Sequence, residues 1–371
     1  MIVKNEAAFL EGCLSSLQGQ VDEIVVVDTG SDDETPQIAE RFDCILLHET
    51  WQHDFSAARN VALDNASSDW NLYIDADERL HCPDGMTLTS LLPGPEVAAA
   101  RVRFQSRSDM TPYGEMRLFQ RDPRIRFQGA MHETMIPGIE QMCDEDGLSI
   151  CQQYNVSLFH LGYDGDQSHK HDRNLPLLVA AIEANPVRVY LRYHIGTTLH
   201  ALGRADEAAA QLREGMRLAA RESASRQAKV EGTMCAQTLA EIELEAGQVE
   251  TALEVVKSGH SLFCENLALK WQEARCLVAA GDFQHSQLLL EPIAALDADT
   301  FFDERISYEK SLFREDAHGL IGAARFHSGD FAGASESYKT ALKHAPESVE
   351  LRAKKALCDA RAARSIVDQD T

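Results

Sequence analysis

The first part of the chain alternates short apolar runs with stretches that carry apolar side chains at helical spacing. The predicted strands lie at residues 21–28, 44–48 and 70–75, and the predicted helices at residues 34–42 and 54–66. Alternation of this kind predicts an α/β domain, Rossmann-like, on a mostly parallel sheet. Ligands bind at the carboxyl ends of the strands in such sheets, and Asp28 and Asp75 each close an apolar run there.

After Pro95 the pattern changes to short apolar runs with little helix between them. Further strands are predicted at residues 97–104, 114–119, 131–136 and 155–161. We therefore expect a first domain over residues 1–165 and a second region over residues 166–371.

The second region has only helical periodicity, and a short turn followed by a small residue recurs four times in it. The four small residues are Ala208, Ala252, Ser286 and Ala334. Their separations are 44, 34 and 48 residues, and the middle one equals the period of about 34 residues of the TPR family, which this region resembles. The pattern predicts an all-α array of TPR-like helical hairpins whose concave face offers a surface to a protein partner or an acceptor. Alternatively, the array only stabilises the first domain or forms a dimer contact.

Charge and composition exclude several classes of protein. The 371-residue chain has a formal net charge of −24, which disfavours binding to nucleic acid or to anionic lipid. No apolar run approaches the ~20 residues of a transmembrane helix, and residues 1–10 lack the apolar core of a signal peptide. The nine cysteines are scattered without a Cys-x-x-Cys pair, which is typical of reduced thiols. These features predict a cytoplasmic protein.

Two carboxylates follow the strand at residues 70–75 directly. Asp75 and Asp77 are two residues apart at the strand end, where they can share a hard cation such as Mg²⁺ or Mn²⁺. Such a cation holds a diphosphate and neutralises charge as a leaving group departs. The sequence therefore predicts a metal-dependent diphosphate site.

Four motifs in order carry a resemblance to a known family. They are MIVKNE at residues 1–6, VVVDTGS at 25–31, DFSAARN at 54–60 and WNLYIDADE at 70–78. The first domain resembles the family 2 glycosyltransferases of GT-A fold, in a bacterial subgroup with TPR-like tails that is similar to peptide S-glycosyltransferases and lipopolysaccharide-core glucosyltransferases. The segments at residues 116–119, 127–133 and 159–163 also fit that subgroup.

The resemblance implies roles for residues around the nucleotide-sugar. Asp28 would contact the uracil or ribose of the donor, Asp75 would lie by the ribose and the metal, and Asp77 would bind the metal directly. Lys4 and Glu6, which follow the first strand, are placed in the donor-binding set, although Lys4 is equally explained as a solvated side chain.

Arg59 has two interpretations. It lies on the helix beneath the pocket, where it reaches a phosphate or braces Asp75. Alternatively, it forms a purely structural salt bridge.

Two later residues are candidates for the chemistry. Glu133 is the candidate general base of an inverting transfer, and its alternative is a carboxylate paired with a nearby arginine. His160 is a candidate metal or phosphate contact, and its alternative is a buried core histidine.

The basic residues of the first domain concentrate on its later strands. They are Arg101, Arg103, Arg107, Arg117, Arg121, Arg124 and Arg126. Two explanations stand: a solvated strand face that balances local acid, and a cationic strip for a diphosphate or an anionic acceptor.

The function expected from these features is an inverting, metal-dependent transfer of a hexose from a nucleotide-sugar, UDP-linked, to an acceptor glycan, lipid-linked glycan or peptide. The alternative is a non-catalytic TPR scaffold with a decayed transferase domain. Relatives have several residues before the MIVK segment, so either the true start of the protein lies upstream of Met1, or the first strand is short and donor binding is weaker.

Overall fold

The computed structural model describes residues 1–162 and 170–367, and these form two compact units. The first unit runs from Met1 through the last strand of the α/β part and also includes Phe302–Ser307. The second unit holds the remaining helices. The expected boundary between residues 165 and 166 lies outside the described residues.

The first unit contains two sheets. Its strands are β1 (Ile2–Val3), β2 (Val25–Asp28), β3 (Ile45–His48), β4 (Trp70–Leu72), β5 (Glu78–His81), β6 (Val97–Gln105), β7 (Tyr113–Gln120) and β8 (Ser149–His160). The first sheet is parallel, in the order β1-β2-β3, and the second has the order β4-β7-β6-β8-β5, in which only β6 and β8 run parallel. The α/β class is confirmed, with a parallel first sheet and a mixed second sheet.

Four helices accompany these sheets. They are α1 (Ala7–Leu17), α2 (Thr35–Arg41), α3 (Phe55–Asp64) and α4 (Ile136–Asp146). Helix α3 begins after Asp54, whose carboxylate accepts a hydrogen bond from the backbone N–H of Ala57 and so caps the helix. Buried side chains of α1 pack in the cores beside both sheets, so this helix joins the sheets into one unit.

The strand expected at residues 131–136 is wrong. That segment is a loop with a single bridge between Gln128 and Thr134, and α4 begins at its end. His132 has a φ of 52°, which a regular strand does not accommodate, and Pro137 occupies the first turn of α4, where its missing N–H is tolerated.

The first strand is short. Strand β1 has two residues, whereas its partner β2 has four. A cavity of about 140 Å³ lies beside Met1 and Val25, and Leu72 and Ile74 line it from the other sheet. The two sheets are therefore separate ladders with an apolar gap between them.

In the described part of the second unit, the regular elements are helices. Its helices are α5 (Lys170–Ala184), α6 (Val189–Ala201), α7 (Ala205–Ala219), α8 (Arg226–Glu245), α9 (Val249–Leu262), α10 (Leu267–Ala280), α11 (Phe283–Ala294), α12 (Glu315–His327), α13 (Phe331–His344) and α14 (Val349–Val367). None of the helices in the described ranges is both long and apolar enough to cross a lipid bilayer.

The predicted repeats coincide with four helical hairpins. Each hairpin turns on a glycine with positive φ, at Gly203, Gly247, Gly281 and Gly329. Five residues after each glycine comes one of the four small residues found in the sequence, and all four are 0% exposed. A small buried side chain lets paired helices approach closely, so the repeat interpretation is confirmed.

The irregular spacing of the repeats also has a structural explanation. Helix α8 has 20 residues, which lengthens the interval between the first two turns. Between α11 and α12 the chain leaves the helical array, and Phe302–Ser307 packs as part of the first unit.

Candidate active site

Asp28 is held rigidly at the carboxyl end of β2. Its carboxylate is buried and accepts hydrogen bonds from the backbone N–H of Ser31 at 3.1 Å and from the Ser31 hydroxyl at 2.5 Å. His48, which ends β3 in register with Asp28, places Nδ1 3.3 Å from Oδ2. The side chain is therefore fixed at the ligand-binding edge of the parallel sheet.

The Asp-x-Asp segment forms a tight turn between β4 and β5. The backbone N–H of Glu78 donates to the Asp75 carbonyl at 3.1 Å, and the backbone N–H of Asp75 donates to Oε2 of Glu78 at 3.0 Å. These reciprocal bonds close the turn, so Asp75 and Asp77 are presented in a fixed geometry at the strand end.

Arg59 connects the Asp-x-Asp turn to the candidate base. Its Nη1 lies 2.8 Å from Oδ1 of Asp75, and its Nε lies 2.5 Å from Oε1 of Glu133. Burial alone would raise the pKa of Asp75, but Arg59 and Arg117 outweigh it and hold that pKa below its usual value. Asp75 is therefore a carboxylate whose orientation Arg59 sets, and the same guanidinium positions Glu133.

A second buried ion pair lies beneath the turn. Arg117 places Nη2 2.8 Å from Oε1 of Glu78, and both side chains are buried. Burial raises the pKa of Glu78 to about 7, although Arg117 opposes the shift. The ring of Tyr73 lies between the guanidinium of Arg59 at 4.3 Å and that of Arg117 at 4.2 Å. The two ion pairs and this ring brace the Asp-x-Asp turn from below.

Asp77 and His160 lie together on the other side of the turn. Nε2 of His160 is 3.1 Å from Oδ2 of Asp77. Burial would lower the pKa of His160, but the bond to Asp77 outweighs it and raises that pKa. A side chain at Gly162 would collide with the Asp77 carboxylate, so the glycine allows this close approach.

Glu6 adds a third carboxylate to this neighbourhood. Burial, followed by repulsion from Asp77 and Asp75, raises the pKa of Glu6 to about 7. The loop that carries it is fixed, because the Glu6 backbone N–H donates to the Thr35 hydroxyl at 2.8 Å. Lys4, two residues earlier, is exposed. The structure thus brings Glu6 to the Asp-x-Asp turn, whereas Lys4 faces solvent.

The loop that carries Glu133 is fastened to α3. The side chain of Asn60 donates to the carbonyl of Phe127 at 2.9 Å and accepts from the N–H of Phe127 at 2.9 Å. Gln128 and Thr134 exchange backbone hydrogen bonds at 2.9 and 3.0 Å, which pinch the loop around Glu133. The DFSAARN segment therefore supplies, in Arg59 and Asn60, two successive residues that place Glu133.

The donors around the turn fit a divalent cation that also binds a diphosphate. Asp77 and His160 offer one carboxylate and one imidazole within bonding distance of each other, whereas Asp75 is held by Arg59. Within the described residues no group of three or more His, Cys, Asp or Glu side chains could hold a metal ion by itself. Mg²⁺ sites of this kind use one or two protein ligands and complete the shell with phosphate oxygens and water.

Several residues of this site were missed from the sequence. His48, Tyr73 and Arg117 make contacts that depend on strand register and on a β-bulge, where Ala100 and Arg101 pair with Leu118 and Met116 and pass over Arg117. Glu78 was within the motif at residues 70–78, and its position directly after Asp77 was the available signal.

Comparison with known proteins agrees with the motifs. Residues 1–93 match the model of the glycosyl transferase family 2. A TPR repeat-containing protein of Synechococcus elongatus is 36% identical over 240 residues, which are 61% of this chain and 58% of that protein. The prophage-derived glycosyltransferase SunS of Bacillus subtilis is 28% identical over 231 residues, 58% of this chain and 52% of SunS.

Two further similarities cover smaller parts of this chain. The lipopolysaccharide core biosynthesis glycosyltransferase LpsC of Rhizobium meliloti is 30% identical over 156 residues, 37% of this chain and 56% of LpsC. A thermophilic TPR protein of Thermus thermophilus aligns in structure with 51% of this chain and 91% of its own length, at 21% identity and a TM-score of 0.36.

The chain thus spans less than two thirds of the length of each of the three curated relatives. By its motifs and by the family match, residues 1–93 of this chain are similar to the family 2 glycosyltransferases, and a tail of helical hairpins follows the α/β unit.

Proposed function

We propose that this protein is an inverting glycosyltransferase that moves a hexose from a UDP-sugar to an acceptor with the help of Mn²⁺ or Mg²⁺. The observation that carries the proposal is the braced turn at the strand end, in which Asp77 meets His160 while Arg59 joins Asp75 to Glu133. The match of residues 1–93 to the family 2 glycosyltransferases supports the reaction class.

In this proposal the donor lies over the carboxyl ends of the parallel strands. Asp28 binds the uracil or ribose, and Asp75, kept ionised and oriented by Arg59, lies by the ribose. Asp77 and His160 hold the metal, which when bound neutralises charge on the diphosphate. Glu6 completes the acidic wall and Lys4 reaches the donor from the exposed side.

Glu133 is the proposed general base. Its side chain is mostly buried, and the bond from Arg59 fixes its Oε1. As the acceptor atom forms its bond to the anomeric carbon, Glu133 takes the acceptor's proton, and the diphosphate leaves with the electrons of the bond to the sugar. The pairing with Arg59 is the arginine contact that the alternative interpretation of Glu133 requires, so only kinetics separate a base from a purely structural carboxylate.

The acceptor is proposed from the relatives and from the tail. LpsC is described as acting in lipopolysaccharide core biosynthesis, which favours a glycan or a lipid-linked glycan, and a peptide is the alternative. The helical tail is proposed to bind the acceptor or a protein partner. The presence of Asp28, Arg59, Asp75 and Asp77, each held by hydrogen bonds or ion pairs, disfavours a decayed scaffold, because a decayed site has no need of braced carboxylates.

Hydrolysis of donor sugars tests the proposal without a known acceptor, since water can replace the acceptor. The full chain is incubated with Mn²⁺ and UDP-glucose, UDP-galactose or UDP-N-acetylglucosamine, and UDP release is followed. Glu133→Gln should lower kcat about 100-fold or more and leave KM nearly unchanged, because a base acts in the transition state.

Glu145→Gln is the matched control, because Glu145 also pairs with an arginine, Arg124, but lies on the surface away from the turn. It should keep the wild-type rate. If Glu133→Gln keeps more than about a tenth of the turnover, Glu133 is not the base. If no UDP-sugar is hydrolysed and UDP does not bind, the scaffold alternative is supported instead.

A further inference from the structure

A segment from between α11 and α12 joins the second sheet of the first unit. Asp303 forms a parallel bridge with Tyr113 of β7, and the hydroxyl of Ser307 donates to the carbonyl of Thr111 at 2.6 Å. The carboxylate of Asp303 accepts from the backbone N–H of Arg305 at 2.7 Å, which fixes the turn of the segment. Phe302–Ser307, which is distant in sequence from the rest of the α/β unit, therefore forms part of that unit.

Phe302 anchors this segment on the sheet. Its ring lies 4.6 Å from the ring of Tyr154 on β8, and the guanidinium of Arg103 on β6 lies 5.0 Å from it. Gly114 permits the close approach, because a Cβ at that position would be 2.8 Å from the carbonyl oxygen of Glu304. The packing is specific in geometry, so the segment has a defined place on β6, β7 and β8.

Three arginines meet where the segment lies on the sheet. Arg101 and Arg103 come from β6, and Arg305 comes from the segment, and all three are half-buried. None of them forms an ion pair with a carboxylate in the part of the chain that the structure describes, whereas Arg59 and Arg117 of the same unit both do. Half-buried guanidinium charge without a carboxylate partner is notable in a chain with a net charge of −24.

The environment of these arginines disfavours the charges that they carry. Burial, together with repulsion from Arg305, lowers the pKa of Arg101. The nearest carboxylates, Glu115 and Glu304, offset this in part, but Glu115 also pairs with Arg117 at 3.3 Å. A bound anion would relieve this unfavourable arrangement, because it supplies the missing countercharge.

Hydrogen-bond donors are also available at this place. The Tyr154 hydroxyl is buried, and among the described residues it has no hydrogen-bond partner. A buried polar group without a partner is rare in proteins and calls for a ligand or water. Arg101 donates from Nη1 to the Gly114 carbonyl at 3.2 Å, which engages one of its five N–H donors.

We propose that Arg101, Arg103 and Arg305 form a binding site for an anionic group, a phosphate or a carboxylate, carried by the acceptor. The inference rests on the proposed transferase function and specifies its substrate class. A chain of interactions links this site to the Asp-x-Asp turn. Glu115 acts electrostatically on Arg101 and contacts Arg117, and Arg117 pairs with Glu78 of the turn. The segment Phe302–Ser307 of the first unit thereby contributes Arg305 to acceptor binding.

Calorimetric titration of the full chain tests the site with three probes: glucose 6-phosphate, glucuronic acid and neutral glucose. Both anionic sugars, or one of them, should bind at least about tenfold more tightly than glucose, because hydrogen bonds to charged groups contribute about 1.5–3 kcal/mol. A preference for one anionic sugar identifies phosphate or carboxylate as the recognised group.

The double variant Arg101→Gln/Arg305→Gln should lose that preference, and Arg305→Gln alone, which leaves the sheet intact, should lose part of it. Arg126→Gln is the control, because Arg126 pairs with Asp64 at 2.5 Å and lies outside the cluster. Equal binding of anionic and neutral sugars by the wild type, or an unchanged preference in the double variant, overturns the proposal.

The titrations are run with and without UDP and Mn²⁺. Occupation of the donor site by UDP leaves the anion preference in place if the arginine site is separate. Failure of UDP to bind would count against the transferase function. The anion preference, and its loss in the arginine variants, tests the arginine site whether or not UDP binds.

Discussion

The two units make tight turns in different ways. In the described part of the helical unit four residues have positive φ. All four are glycines, and each ends the first helix of a hairpin. In the α/β unit the left-handed conformation is also adopted by four residues with side chains, namely Asn5, Asp43, His53 and His132. Positive φ costs little for glycine but about 1–2 kcal/mol for other residues. Two of the four adjoin the candidate site residues Glu6 and Glu133, which indicates that the α/β unit accepts strain where the site is built.

The units also differ in where they place their charges. In the α/β unit, Arg59 and Arg117 are buried with their carboxylate partners. In the helical unit, pairs such as Arg217 with Glu214 lie on the surface within one helix. Buried pairs are a poor source of stability but hold geometry, and surface pairs contribute little to either. The difference indicates that the buried network serves the site, whereas small-residue packing builds the tail.

Breaking the buried network should have the largest effect. Arg117→Met leaves the Glu78 carboxylate buried without its partner and should destabilise the first unit by about 3–5 kcal/mol. Urea unfolding followed by tryptophan fluorescence measures it, since Trp51 and Trp70 report on that unit.

Two further variants complete this experiment. Arg117→Met/Glu78→Leu should recover most of the loss, because it removes both charges. Arg217→Met, in a surface pair of the tail, should leave the unfolding midpoint unchanged. Equal effects of Arg117→Met and Arg217→Met would contradict the contrast between the units.

Enlarging one of the small buried residues of a hairpin should have an intermediate effect on stability. Ala252 is 0% exposed where α9 packs in its hairpin. Ala252→Leu should destabilise the helical unit by about 1–3 kcal/mol, because the added atoms force the helices apart. Thermal unfolding of the full chain measures this, with the exposed Ala210→Leu as the matched control. Indistinguishable unfolding of the two variants would show that close helix approach does not hold the hairpins.

Glu231 on α8 is a half-buried carboxyl that should give a smaller, pH-dependent effect. Burial raises the pKa of Glu231 on α8 to about 7, from 4.5 in the unfolded chain. Because the folded state holds the proton more tightly, this contribution to stability is full below pH 4.5 and is lost as the pH rises through about 7.

Glu231→Gln removes this dependence. The stability of the variant relative to wild type should therefore increase between pH 5 and pH 8, by on the order of 1–2 kcal/mol. Urea midpoints at both pH values measure the difference, and Glu245→Gln, at an exposed position, serves as control. Parallel pH profiles of wild type and Glu231→Gln would refute the assignment.

The tail could be predicted well from the sequence because its signals are local. A glycine that ends one helix, and a small residue one turn into the next, lie within a few positions of each other, so each of the four hairpins is visible by itself. The long interval of 48 residues between Ser286 and Ala334 could also be read from the sequence. That the extra residues Phe302–Ser307 pack on the other unit depends on contacts nearly 200 residues apart in sequence, which no local pattern contains.

The site could be predicted only in part. Asp28 ends an apolar strand, and Asp75 and Asp77 lie in the turn that follows the apolar run at residues 70–74, so chain order alone drew attention to them, while the family motifs drew attention to Arg59, Glu133 and His160. The pairing of Arg59 with Glu133 was not predictable, because it depends on a loop that the apolar pattern of residues 131–136 misrepresents as a strand. The bulge that directs Arg117 to Glu78 is likewise a property of strand register.

The central claim is that Asp77 at the braced turn binds a metal that holds the donor diphosphate. The most direct measurement is a calorimetric titration of UDP into the full chain, in Mn²⁺ and in a chelator, for wild type, Asp77→Asn and the exposed control Asp84→Asn. Wild type and Asp84→Asn should bind UDP at least about tenfold more tightly with Mn²⁺, because a lost charge-assisted contact is worth about 1.5–3 kcal/mol. Asp77→Asn should bind equally weakly in both conditions, with an unchanged unfolding midpoint. A Mn²⁺ effect of wild-type size in Asp77→Asn would contradict the account.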